Sequence, residues 1–403
     1  MEPIVLDEYE SAVVPLSVEE VAGLRALAGL RLSITAADTP GEWVIRATAH
    51  VGTVVFGAVR VLIRPKVSNA NLFHLLEAGG DALSVRPETF EYDRTGDLVP
   101  SFATFFARVA ETALGRGVHR AYEEREEPLL ALRGRIAVTA QQRQLGLPLP
   151  VACRFDEYTA DVPLNRVVKA ATERLRRLRG VTSTTRSALA SILGRLEEVS
   201  PLHGPELRTA TVFNRLNLHY QSAERLARMV LQGSSLLDLV GDAEAGAFLV
   251  NMNVLFEEFV EARLRDYLLG RLRVEGQAKH WLDSGHRVVR IVPDLVITRG
   301  GPPLYVGDTK YKLLVDEERG RNPDYYQLLA YTTALDVHEG VLIYCHDDGI
   351  APQPIVVEHT GTRLFVRGVR LDGTPAELDG QLRDLADWLA ERCTTRLEAS
   401  LSA

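Results

Sequence analysis

Cysteine is scarce. The 403 residues hold three, Cys153, Cys345 and Cys393, far apart and odd in number. That excludes a disulfide framework and the ligand spacing of a zinc site, and it suits a reducing compartment, so a cytoplasmic protein is expected. No apolar run approaches the ~20 residues a membrane-spanning helix needs. The first residues, M-E-P-I-V-L-D-E-Y-E, are acidic where a signal peptide would be basic. Positive charge is not in excess either: 46 Lys and Arg face 54 Asp and Glu, a formal net charge of −8. A chain that grips nucleic acid unaided is more often basic. Tight, non-specific DNA binding is therefore not expected, whereas a local basic groove, or delivery to DNA by a partner, stays open. There is no P-loop, no Gly-rich dinucleotide fingerprint and no internal repeat, so the chain itself is expected to bind no nucleotide.

What is present is the composition of an ordinary globular protein, 46% hydrophobic and 25% charged. The length is too great for one core and predicts two or three domains. The pattern predicts an α/β (α+β multidomain) protein in three segments. Residues 1–98 read as β-rich, with strands at Ile4–Val14, Glu42–Ala49, Val51–Val55 and Ala58–Ile63. Ser17 reads as the N-cap of a helix over Val18–Leu27. Residues 99–249 read as mainly helical, with helices at Phe102–Arg116, Leu164–Leu178, Ser187–Leu196 and Tyr220–Gln232. This zone is locally basic, through Arg133, Arg135, Arg143, Arg154, Arg166, Lys169, Arg174, Arg176, Arg177 and Arg179. Most of these read as solvated helix faces with Glu neighbours, as in Y-E-E-R-E-E. Residues 250–403 carry the constellation that suggests chemistry.

That constellation is V-P-D-L-V-I-T-R-G-G-P-P-L-Y-V-G-D-T-K-Y-K, Val292 to Lys312. Arg-Gly-Gly-Pro-Pro is a cluster of turn formers between two β-branched, largely apolar runs, so a hairpin is predicted, with strands over Arg290–Thr298 and Leu304–Lys312. Asp294 would lie inside the first strand and Asp308 near the end of the second. Lys310, two residues on, would share a face with Asp308, and Thr309 would point away from it. Carboxylate oxygens are natural Mg²⁺ ligands. A cation held there could orient and acidify a water, with the lysine assisting attack on a phosphate. An Asp and a Lys near strand ends are also commonly just solvated. The arrangement P-D…D-x-K resembles the PD-(D/E)xK nuclease superfamily.

Two flanking helices bear on the choice. Asn253–Leu269 places Leu255, Phe256, Phe259, Val260 and Leu264 at helical spacing. Glu257 falls near that apolar stripe, whereas Glu261 and Glu258 read as solvated. Asp324–Tyr331 reads as a helix with Gln327 and Tyr331 at i and i+4 on one face. The first helix resembles the one that supplies a further metal carboxylate in the superfamily. The second resembles the Gln-x-x-x-Tyr helix of its RecB-like branch. A strand at Val341–Cys345, a turn at His346, Asp347 and Asp348, and a covering helix over Glu377–Leu401 complete the expected restriction-endonuclease-like core.

Across most of its length the chain resembles the McrC nuclease subunits of McrBC-type, modification-dependent restriction systems. The resemblance is carried, in order, by I-R-P-K-V-S-N-A-N-L-F-H-L-L, A-Y-E-E-R-E-E-P-L-L-A-L-R-G-R-I, C-R-F-D-E-Y-T-A-D-V-P-L-N-R, F-N-R-L-N-L-H-Y, N-V-L-F-E-E-F-V, V-P-D-L-V, G-D-T-K-Y-K and Y-Q-L-L-A-Y. It implies an N-terminal part that docks to a hexameric AAA+ GTPase (or ATPase) of McrB type and a C-terminal PD-(D/E)xK domain. That domain would cut double-stranded DNA bearing modified cytosine, with Mg²⁺ or Mn²⁺, in host defence. Asp294, Asp308 and Glu257 would be metal ligands, Lys310 catalytic, and Gln327 and Tyr331 accessory. A self-sufficient RecB-like nuclease and a non-catalytic activator of an AAA+ ring are the alternatives.

Overall fold

The structure, a computed structural model, describes residues 2–77, 98–143, 149–178, 180–233, 245–283, 285, 287–312, 322–346 and 353–402. Arg179, Asp347 and Asp348 lie outside the described residues. The chain divides into two compact units. One is built from Met1–Gly79, Arg86–Gly96 and Ser235–Ala403, the other from Gly80–Val85 and Asp97–Ser234. Residues of the expected first and third segments thus share one unit.

In the first unit the expected strand over Ile4–Val14 is two strands, β1 (Ile4–Asp7) and β2 (Ser11–Pro15). A turn separates them, with Tyr9 at φ 64°. Helix α1 (Val18–Ala28) begins as expected at Ser17. The Ser17 hydroxyl accepts from Glu20 N at 3.2 Å and the Glu20 carboxylate accepts from Ser17 N at 2.8 Å, a reciprocal cap worth ~1 kcal/mol. Strands β3 (Leu32–Ala36), β4 (Glu42–Ala47), β5 (His50–Phe56) and β6 (Val59–Arg64) follow, then α2 (Asn69–Glu77). One sheet has the order β2-β4-β3. The other, β1-β6-β5, gains a fourth strand from far along the chain, at Ala245–Asn251. Gly52 makes that pairing possible, since a Cβ there would collide with the Phe248 carbonyl. Leu24, Ile45, Val54, Val61 and Leu249 meet in one buried cluster between these elements.

The second unit opens with α3 (Leu98–Gly115) and is not helical throughout. Strands β7 (Ala121–Leu129), β8 (Arg135–Ile136) and β9 (Val151–Thr159) form a sheet in the order β7-β9-β8, with α4 (Val138–Arg143) between the last two. Y-E-E-R-E-E is therefore a strand, not a helix face. Its alternating half-buried and exposed residues become readable only once β9 lies beside it. Helices α5 (Pro163–Arg177), α6 (Ser183–Arg195) and α7 (Gln221–Gly233) complete the unit. Several of its basic residues are paired internally: Arg135 with Glu124 at 3.0 Å, Arg154 with Glu126 at 2.7 Å, and Arg166 with Asp161 at 3.0 Å. The runs C-R-F-D-E-Y-T-A-D-V-P-L-N-R and F-N-R-L-N-L-H-Y turn out to be locks. Asn165 donates to the carbonyls of His119 and Ala160, both at 2.7 Å, and the Tyr220 hydroxyl donates to Gly117 O at 3.2 Å.

After β10 (Ala245–Asn251) the chain enters α8 (Met252–Tyr267) and a mixed sheet. Its strands are β11 (Arg273–Gly276), β14 (Leu295–Thr298), β15 (Pro303–Lys310), β16 (Glu339–Tyr344), β17 (Ile355–Val356) and β18 (Arg363–Gly368), in the order β11-β14-β15-β16-β18-β17. A short ribbon, β12 (His280–Trp281) with β13 (Arg290–Ile291), stands between β11 and β14 in sequence. β14 and β15 are antiparallel, whereas β15, β16 and β18 run parallel. Helix α9 (Asn322–Ala334) packs Leu328 with Val306 and Leu342 on one face. Helix α10 (Pro375–Ser402) sets Trp388 edge-on against Tyr305 and Phe365. Tyr305 and Val306 are successive residues of β15, so the two helices cover opposite faces.

Candidate active site

The site is built where β14 begins and β15 ends. The expected first strand is interrupted: Arg290–Ile291 is β13, and Asp294 lies in a bend just before β14 rather than inside a strand. Pro293 has no N–H to give a ladder, which favours a break there. Extending the register Leu295↔Gly307 by one residue sets Asp294 across from Asp308. Asp308 is 1% exposed, and its carboxylate forms an ion pair with Lys310.

Glu257 comes from α8, whose Leu255, Phe256, Phe259 and Val260 are buried. Glu261, one turn on, is not solvated as expected. It is largely buried, pairs with Arg265, and lies so close to Gly276 that any Cβ there would meet its carboxylate. β11 ends at this glycine. The next residue, Gln277, takes a φ of 51°, and its amide nitrogen donates to Glu257 Oε1 and, at 3.2 Å, to Asp294 Oδ1. One nitrogen thus bridges two carboxylates from two elements.

Asp294 is held by further donors. Its Oδ2 accepts from Thr309 N at 2.8 Å and from the Thr309 hydroxyl at 2.9 Å. Thr309 therefore contacts the site, contrary to the alternation read from the sequence, because Asp294 sits off the end of its strand and can reach round.

On the other side, Lys310 Nζ donates to Gln327 Oε1 at 2.9 Å. The Gln327 amide nitrogen donates to the Tyr331 hydroxyl at 2.7 Å, and that hydroxyl donates to Val292 O at 3.3 Å. The order of donors fixes which way the Gln327 amide faces. Helix α9 is itself anchored: Lys312 Nζ donates to both oxygens of Asp324 at 2.9 and 3.0 Å, and the Tyr344 hydroxyl donates to the same carboxylate at 2.8 Å.

Charge is concentrated here. Burial, and after it the Asp294 charge, pushes the Glu257 carboxyl up to about 7. Burial and the Asp294 charge likewise push Asp308 up to about 7, against the pull of Lys310. Burial beside these carboxylates pushes the Tyr331 phenol up to about 12, so it remains a donor at neutral pH. Among the described residues no three His, Cys, Asp or Glu side chains are gathered closely enough to hold a metal ion. As the side chains stand, Gln277 is interposed between Glu257 and Asp294, and Asp308 is turned to Lys310. All six residues singled out from sequence are found in this region. Gln277, Thr309 and Asp324 were missed, and only Asp324, in the first turn of a helix, carries a local signal.

The family model described as "McrBC 5-methylcytosine restriction system component" matches residues 45–345. No curated protein matches the sequence. Among solved structures, the fold is similar to a chain of the refined half-complex from the tetradecameric assembly of Thermococcus gammatolerans McrB AAA+ hexamers with bound McrC. There the identity is 20% and the TM-score 0.55, covering 96% of this chain and 100% of that one. A chain of the cryo-EM structure of the Thermococcus gammatolerans McrBC complex is 22% identical, with a TM-score of 0.42, covering 66% of this chain and 88% of that one. Among the described residues no helix is long and apolar enough to cross a membrane.

Proposed function

The chain belongs to the McrBC 5-methylcytosine restriction system component family, and from that premise we propose that it is the nuclease subunit of such a system. In this reading it hydrolyses phosphodiester bonds of double-stranded DNA at a PD-(D/E)xK site in residues 250–403, in the cytoplasm. Residues 1–98 dock to an AAA+ ring of McrB type that recognises modified cytosine and drives the complex along DNA. What supports a ring partner, beside the family, is the likeness in fold to a chain of an assembly of McrB AAA+ hexamers with bound McrC.

The observation that carries the reading is that Asp294, from a bend, is near enough to both Glu257 of a helix and Asp308 of a strand to raise their pKa values, while Asp308 pairs with a lysine that is itself oriented. The donor set is all hard oxygen, which fits Mg²⁺ or Mn²⁺, and Mg²⁺ needs only one or two protein carboxylates beside its waters. Two carboxyls whose acidity is weakened by burial and by the Asp294 charge are groups that a cation would relieve. Glu257, Asp294 and Asp308 would hold the ion. Once bound it would polarise the phosphate and supply a more acidic water. Lys310 lies beside Asp308, and its ammonium offsets the charge that grows on the phosphate oxygens as the bond to water forms. Gln327 orients that ammonium through Oε1, and Tyr331 holds the Gln327 amide in the required sense.

The test is cleavage of cytosine-methylated and unmethylated plasmid by the chain and by Asp308→Ala, with and without the AAA+ partner and its nucleotide. Cutting only by the unsubstituted chain, with partner and nucleotide, is expected. Equal cutting by Asp308→Ala would refute the site. Cutting without the partner would favour the stand-alone nuclease, and raised nucleotide hydrolysis with no cutting would favour the activator.

A further inference from the structure

The ribbon formed by β12 and β13 has no part in the chemistry described so far. It is rooted in the site at both ends. Gln277 precedes it, Asp294 follows it, and the two are joined by a hydrogen bond of 3.2 Å. The ladder pairs His280 with Ile291 and Trp281 with Arg290, and Leu282 N donates to Val289 O at 2.9 Å. Asp283 closes the far end by accepting from the N–H groups of Val288 and Val289 at 2.9 and 3.0 Å. Its Oδ1 is thus engaged by the turn.

The ribbon is locally basic. Over residues 279–291 the charged residues are Lys279, Arg287 and Arg290 against Asp283 alone. All three cations are exposed, and none makes an ion pair among the described residues. Other cations, such as Arg135, Arg154, Arg166, Arg265 and Arg271, are each paired with a carboxylate. Apolar side chains stand among the cations: Val288 is 75% exposed, Val289 48%, Leu282 42% and Trp281 37%. Exposed cations with no ion pair among the described residues, in a chain of net charge −8, offer a place for an anionic occupant. A two-stranded ribbon is also of a width that the major groove of B-DNA admits.

We propose that the β12–β13 ribbon is a duplex-DNA contact. Arg287, Arg290 and Lys279 would pair with backbone phosphates, and Trp281 and Val288 would lie against the groove, so that the flanking DNA is held beside the carboxylates. The proposal rests on the nuclease reading for its substrate, and it is tested without hydrolysis. Binding of a fluorescent DNA duplex is measured by anisotropy across a salt series in the full-length Asp308→Ala background, with and without Arg287→Glu and Arg290→Glu together. The charge reversals are expected to weaken binding by roughly tenfold or more and to flatten the salt dependence, by about 0.9 in slope for each phosphate no longer neutralised. Arg287→Lys with Arg290→Lys keeps both charges and is expected to retain most of the affinity. DNA should quench the fluorescence of Trp281, and Trp281→Phe should abolish that signal while Trp43 and Trp388 remain.

Affinity within twofold after charge reversal would overturn the proposal, as would no measurable binding by the Asp308→Ala chain itself. If reversal spared DNA affinity but cost stimulation of the AAA+ partner, the ribbon would be a protein-docking element and the proposal would likewise fall. Failure of the unsubstituted chain to cut DNA, with ribbon-dependent binding intact, would count against the nuclease reading alone.

Discussion

Replacing Thr309 by valine removes one hydroxyl and little else. The two side chains are nearly isosteric, both are β-branched, and both suit a strand. Thr309 is 8% exposed, so the methyl that replaces the hydroxyl stays out of water. What is lost is the 2.9 Å hydrogen bond to Asp294 Oδ2. What remains is the backbone N–H of the same residue at 2.8 Å on the same oxygen, and the Gln277 amide at 3.2 Å on the other. A hydrogen bond to a charged acceptor contributes ~1.5–3 kcal/mol. Asp294 is only half buried and keeps two donors, so the lower figure applies. At ~1.4 kcal/mol per factor of ten, Thr309→Val should slow single-turnover plasmid cleavage by about tenfold. Thr309→Ser, which restores the hydroxyl, should recover most of that loss. The rate is measured with saturating partner, nucleotide and Mg²⁺, and circular dichroism checks that the fold is kept. A Thr309→Val rate within twofold of the unsubstituted chain would refute the claim that this hydroxyl positions Asp294.

Lys310→Ala should abolish cleavage while leaving partner association and stimulation of its nucleotide hydrolysis intact, as read by gel filtration and phosphate release; residual cutting at the normal rate would contradict the role given to the ammonium. Glu257 and Asp308, both pushed to about 7, are largely protonated below that pH and become ligands above it. Calorimetric affinity for Mg²⁺ should therefore rise from pH 6 to pH 8, with protons released on binding, and a flat profile would count against these two groups as ligands. Glu8 is buried, and burial raises its pKa although Lys66 N at 2.9 Å and the Tyr311 hydroxyl at 3.0 Å donate to it. A carboxyl raised on folding costs stability once pH exceeds its unfolded value, so Glu8→Gln should melt at or above the unsubstituted chain at pH 8, with the difference shrinking toward pH 5. A large fall in melting temperature at pH 8 would show that the charge itself is needed.

Much of the site was legible because its residues lie on periodic elements. Glu257 could be placed by the apolar stripe of α8, Asp308 and Lys310 by the two-residue period of β15, and Gln327 and Tyr331 by i, i+4 spacing. What escaped depends on chain geometry that no local pattern carries. Gln277 acts because Gly276 lets β11 come up against Glu261 and the next residue then turns through positive φ. Thr309 reaches Asp294 because Pro293 breaks the strand. β7 was hidden for a different reason: a run of alternating charges suits a solvated helix as well as a strand, and its partner β9 begins about twenty residues later. The discontinuous first unit was equally invisible, since nothing in Ala245–Asn251 says that its partner is His50–Phe56.

That last pairing has a consequence for how the protein is made. During synthesis β1 to β6 leave the ribosome early, yet the edge of β5 stays unpaired until Asn251 has emerged, nearly two hundred residues later. Until then the nascent chain carries an open strand bearing Val51, Val54 and Phe56, the kind of edge that recruits other chains. The strand that finally closes the sheet is followed at once by α8 and Glu257. Completion of the amino-terminal sheet is thereby tied, in time, to the arrival of the first carboxylate of the candidate site, so a ribosome that stalls before residue 245 leaves behind a product with neither.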